Sequence, residues 1–138
     1  MKPLSPVARL LVASAAAIVV MWLLGLLGSL AAGPNGMLSA ASDSRTNPLS
    51  LLVTAIGMCA GGGIAGTRFI GVALALMCVL WLAIVLMLLQ ITRPVQADAL
   101  VRILYYNGLQ IGLSMLAACA GAAVGAWLHM QRAAALAA

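Results

Sequence analysis

Acidic residues are almost missing from this chain of 138 residues: Asp43 and Asp98 are the two aspartates, and there is no glutamate. They share no motif, so the sequence offers no paired carboxylates for general acid–base work. Charge of either sign is scarce, at 7% of residues, where soluble domains carry about 25%. Such a chain cannot clothe a core in a polar surface, so its surroundings must be largely lipid. There is one histidine, His129, and the three cysteines, Cys59, Cys78 and Cys119, stand far apart inside apolar runs. No CxxC or Cys/His spacing exists, which argues against a metal site, and the cysteines read as small polarizable packing residues. No nucleophile stands near a base in any motif, so the chain is expected to be no enzyme and to hold no cofactor.

What is present is apolar: 65% of residues are hydrophobic and the mean hydropathy is +1.18. About 20 apolar residues cross a bilayer as a helix. Four runs qualify, at about Val7 to Ala32, Leu49 to Thr67, Phe69 to Thr92 and Leu104 to Leu128. The expected fold is all-α and membrane-integral, one domain of four transmembrane helices over residues 1–138. The first run begins with Lys2 and Arg9 like a secretory signal, but it exceeds the 7–15 apolar residues typical of one and is expected to remain as a span. Residues 33–48, GPNGMLSAASDSRTNP, read as a loop. Pro94 ends the third run, and the remainder of residues 93–102 reads as a short surface segment.

No loop parts the second run from the third. As one helix, residues 49–92 would reach about 66 Å, twice a bilayer core. The chain must reverse inside it, and Gly66-Thr67-Arg68 is the place: it holds the stretch's one charge and the glycine a tight turn needs. A phosphate-cradling loop would need a preceding strand and Walker spacing, which are absent.

The stretch GGGIAGTRFI, residues 61–70, resembles the glycine-plus-arginine opening of the small four-span fluoride channels. It falls in the second run here, not the first. That family's Asn-containing and Phe/Thr/Ser-rich motifs have no counterpart, so no membership is assigned.

An internal repeat is legible. NPLSLLVTAIGMCAG, residues 47–61, matches NGLQIGLSMLAACAG, residues 107–121, at Asn47/Asn107, Leu49/Leu109, Cys59/Cys119, Ala60/Ala120 and Gly61/Gly121. Upstream, Met21-Trp22-Leu23 matches Leu80-Trp81-Leu82. Two tandem helical hairpins in the same orientation follow, related by a pseudo-two-fold along the membrane normal.

Lipid is as apolar as leucine, so close backbone approach drives helices together in a membrane. Gly57, Gly61, Gly62 and Gly66 in the second run, with Ala117, Gly121 and Gly125 in the fourth, have the small-residue spacing for such packing. The rival reading is an unwound, ion-coordinating break at Gly61 to Gly63. In the packing reading, bulk at Gly61 should separate the helices and a single methyl should be tolerated. Trp22 and Trp81 lie at mid-depth, where an indole N–H needs a partner; Thr54 and Ser114 are the candidates, or a neighbouring subunit. His129, beside Trp127 and Arg132, reads as an interfacial anchor, as do Tyr105 and Tyr106 at the other face.

No charged residue falls in the middle of a span, which argues against proton-coupled transport. Lys2, Arg9, Arg68 and Arg132 face one side and Arg45, Arg93 and Arg102 the other, which sets both termini in the cytoplasm. The expectation is a multi-pass protein of the bacterial inner membrane, a non-catalytic accessory subunit whose partners are the bilayer and other membrane subunits or itself. Nucleic acid is not among them, because the basic residues are scattered at the ends of apolar runs. The alternative is a small homo-oligomeric channel or transporter with a Ser/Thr/Gly-lined path.

Overall fold

A computed structural model describes the backbone of residues 5–42, 46–92 and 98–137, and the side chains of these except 31–42 and 136–137. The described residues are 96% helical, with no strand among them. They form α1 (Pro6–Ser42), α2 (Pro48–Ala65), a 3-10 turn (Gly66–Arg68), α3 (Phe69–Thr92) and α4 (Ala99–Ala137). Three segments are long and apolar enough to cross a membrane: Pro6–Leu30, Pro48–Thr92 and Ala99–Ala135.

The helix starts follow local chemistry. Ser5 Oγ accepts from the Ala8 amide at 3.2 Å just before Pro6. Asn47 Oδ1 accepts from the Leu49 and Ser50 amides at 3.1 and 3.3 Å, with Pro48 at the first helical position. In each case a side-chain oxygen satisfies an amide that the helix leaves open, and proline occupies a position that needs no donor. Asp98, immediately before α4, places a negative charge at a helix N-terminus.

Two boundaries differ from the sequence reading. The expected loop over residues 33–48 is helical as far as Ser42, and the expected residue 104 start of the last helix moves back to Ala99. Met, Leu and Ala dominate residues 37–41 and good helix formers fill 99–104, so once the helix passes Gly33 to Gly36 nothing ends it. Residues 43–45 and 93–97, where the rest of the loop and most of the surface segment were expected, lie outside the described residues.

Inter-helix contacts set the topology. Ala17 and Met21 of α1 meet Gly57, and Gly28 meets Leu49, so α1 and α2 are antiparallel. Ala55 meets Gly121, Cys59 meets Gly125 and Gly63 meets His129, so α2 and α4 run parallel. Phe69 lies over Gly61 while Trp81 reaches back to Ser114, so α3 runs against both. The chain therefore reverses at Gly66, the one described residue with positive φ (69°, with ψ −152°). Glycine alone tolerates that conformation.

The buried residues form stripes at helical spacing: Thr54, Gly57, Met58, Gly61 and Gly62 on α2, and Phe69, Ala73 and Met77 on α3. Ala13, Ala17, Ala118 and Ala122 complete the core, in which Phe69 and Met58 are the largest fully buried side chains. The exposed surface is 9332 Å², against about 6,700 Å² for a soluble monomer of this 14.0 kDa mass. Large apolar side chains contribute to it, among them Val7, Leu11, Val79, Leu82 and Leu116, each more than half exposed.

The turn geometry makes a sharp expectation. Gly66→Ala should cost about 1–3 kcal/mol from backbone strain alone. Gly71→Ala, where nothing lies within 4 Å of an added methyl, should be neutral or stabilising. Thermal unfolding in detergent compares the two, and equal midpoints would refute the strained turn.

Candidate functional site

The seam between α2 and α4 is a backbone contact. A Cβ at Gly62 would collide with the Ala122 carbonyl, one at Gly121 with the Ala55 carbonyl, and one at Gly125 with the Cys59 carbonyl. The other sequence-picked small residues have different neighbours. Gly57 receives Met21 and the Ala17 carbonyl of α1, Gly61 receives the Phe69 ring, and Gly66 forms the turn beside His129. Ala117 is half-buried on α4. The tolerance expected for a methyl at Gly61 is therefore overturned, because that methyl would enter the space of the fully buried Phe69 ring. The alternative of an unwound break at Gly61 to Gly63 is not what the backbone does: α2 is continuous to Ala65.

α1 packs on α2 and α3 on α4, while α1 and α3 barely touch. Between them lies a groove of about 820 Å³. Met58 and Met77 line its apolar part, and Ser50, Thr54, Asn107, Gln110 and Ser114 supply the polar atoms. Two tryptophans line it with opposite fates. Trp81 Nε1 donates to Ser114 Oγ at 2.7 Å, and Ser114 Oγ donates in turn to the Ile111 carbonyl at 2.9 Å. Trp22 is 66% exposed and makes no hydrogen bond among the described residues. Of the two candidate acceptors, Ser114 serves Trp81, whereas Thr54 serves neither indole: α1 turns Met21 toward α2 and so carries its neighbour Trp22 outward, and the Thr54 hydroxyl donates to the Ser50 carbonyl at 2.8 Å.

Other polar groups in the groove are half satisfied. Gln110 Oε1 accepts from the Asn47 amide at 3.1 Å, and Asn107 Nδ2 donates to the Ile103 carbonyl at 2.9 Å. The Gln110 amide nitrogen has no partner among the described residues.

His129 does more than its sequence position suggests. Its Nδ1 lies 2.9 Å from the Gly63 carbonyl, one of the last four carbonyls of α2, which the helix itself leaves open. A carbonyl can only accept, so Nδ1 carries the proton and the ring caps α2 from α4. Nothing local in the sequence signals this. Only the register of α4 on α2 brings the two together.

Cys59, Cys78 and Cys119 are free thiols, and no group of three metal-ligating side chains occurs among the described residues. No protein-family model, curated protein or solved structure matches this chain.

The seam predicts that even a methyl is too large. Gly62→Ala and Gly125→Ala should each lower unfolding stability by about 1–3 kcal/mol, because a fixed carbonyl cannot move aside as a side chain can. Gly108→Ala in α4, with open space around it, should not. Reversible unfolding in mixed micelles gives the comparison.

Proposed function

We propose that this protein is a non-catalytic accessory subunit of a bacterial inner-membrane complex, and that the groove between α1 and α3 receives a transmembrane helix of its partner. The observation that carries the reading is the unpaired Trp22 indole at the groove, beside a Trp81 that is fully served by Ser114. An N–H left unpaired in hydrocarbon is costly, and an acyl chain offers it no acceptor. A helix bearing a Ser, Thr, Asn or Gln does, and such interhelical bonds hold membrane subunits together. The Gln110 amide faces the same groove with donors to spare. The large apolar surface outside the core gives partner and lipid room on the remaining faces.

In this reading the chain crosses four times, with the Gly66 turn at one face and both termini in the cytoplasm. The two tandem hairpins, α1 with α2 and α3 with α4, point the same way, in keeping with the parallel course of α2 and α4. Cysteines introduced at Ser42 and Ala137 should then label from opposite sides of the membrane. Labelling of both from one side would remove this topology.

A second reading has one observation in its favour: Asn47, Ser50, Thr54, Asn107, Gln110 and Ser114 all line the groove. A second copy closed over it would enclose a Ser/Thr/Asn-lined path for an ion or solute. The α2/α4 glycines cannot supply that path, since the seam is filled by backbone.

A photo-crosslinking residue in place of Trp22 decides between them, followed by mild-detergent purification and mass spectrometry. Adducts to a transmembrane helix of another protein are expected. Adducts only to a second copy, with ion flux in liposomes, would favour the channel. Adducts only to lipid would overturn both.

A further inference from the structure

At the end of the molecule away from Asn47 and Gln110 lies a smaller pocket of about 420 Å³. Three elements meet there: Arg9 comes from α1, Thr67 and Arg68 from the turn, and His129 from α4. We propose that this pocket binds a phosphate group, and that in the membrane the group belongs to an anionic phospholipid.

The charge balance supports an anion. Two guanidiniums line one pocket, and no salt bridge neutralises them among the described residues. Asp98 is the one carboxylate side chain among those residues, and it precedes α4. His129 lies 31 residues along the same helix from it, about 46 Å away at the α-helical rise. Charges so far apart are screened from one another. Arginine presents a planar fork that matches phosphate oxygens.

The fold sets the backbone positions of these residues. Arg68 sits on the turn that Gly66 makes, and the His129 ring is held at the pocket wall by its bond to the Gly63 carbonyl. The Thr67 hydroxyl adds a neutral donor.

The surroundings favour a lipid over a soluble anion. Leu10 and Met130 line the pocket, and Val7 and Leu11, both about two-thirds exposed, continue the apolar surface of α1 beside it. A phosphodiester in the pocket could lay its acyl chains along these side chains. Basic pockets between membrane helices hold lipid headgroups in this manner.

Native mass spectrometry of the full chain tests the proposal, with phosphatidylglycerol, phosphatidylcholine or inorganic phosphate added separately. Phosphatidylglycerol should bind in preference to phosphatidylcholine. Arg9→Gln with Arg68→Gln should weaken it roughly tenfold or more, whereas the pair Arg9→Lys with Arg68→Lys should keep most of the affinity. Both arginines are exposed, so neither pair removes core packing, and circular dichroism with unfolding midpoints checks the fold. Arg102→Gln, in the first turn of α4, should change nothing. Site-dependent binding of inorganic phosphate without a preference for phosphatidylglycerol would keep the anion site and overturn the lipid. Equal binding of the two lipids without phosphate binding, or adducts indifferent to the glutamine pair, would overturn the site.

Discussion

The close approach of α2 and α4 is the constraint from which the rest of the arrangement follows. Three glycines, Gly62, Gly121 and Gly125, let one backbone lie against the carbonyls of the other. Hydrocarbon gives no apolar incentive for helices to associate, so the gain comes from dispersion between surfaces that meet without side chains in the way. That contact also fixes a register. With Ala55 at Gly121 and Cys59 at Gly125, the helical rise carries Gly63 to His129, and the imidazole meets the open carbonyl at the end of α2. The turn, the His cap and the basic pocket all sit where this register ends.

Phe69 is the second fixed point. It is the chain's one phenylalanine and is fully buried, seated over the missing side chain of Gly61 at the start of α3. A bulky ring against a glycine locks the direction in which α3 leaves the turn, with Ala73 and Met77 following down the same stripe. α3 is thereby laid along α4, where Trp81 finds Ser114. α1 is laid along α2 by a different device, Met21 packed into the gap at Gly57. Because the two outer helices attach to different inner helices, a groove opens between them.

Much of this was legible in the sequence, and the missing parts share a cause. Composition alone demanded helices in lipid. The excess length of residues 49–92, with a lone arginine flanked by glycines, located the turn. The glycine spacing marked the inner helices as close-packing. What spacing could not say was which partner each glycine receives, since Gly57, Gly61 and Gly62 lie on one stripe yet meet α1, the Phe69 ring and α4 in turn. Rotation of one helix about its axis decides that, and rotation is a tertiary property. The same uncertainty left open which indole meets which hydroxyl and concealed the bond of His129 to Gly63. The extent of α1 was missed for another reason: Gly33 to Gly36 reads as a stop, but alanine and leucine beyond it sustain a helix to Ser42.

Residues that align between the two halves of the sequence differ in their contacts. Asn47 caps α2, whereas Asn107 lies inside α4 and bonds its own helix. Gly61 holds a phenylalanine ring, whereas Gly121 holds a carbonyl. Trp81 is bonded within the chain, whereas Trp22 is turned out. In each pair the second-half residue makes a contact within or between α3 and α4 or across the α2/α4 seam. The indole with no partner is on α1. α3 has an internal acceptor in Ser114, and the Trp22 indole of α1 has none among the described residues. The unpaired indole of the groove is thus on α1, and under the proposed accessory role α1, rather than α3, is the face on which a partner helix has a hydrogen bond to gain.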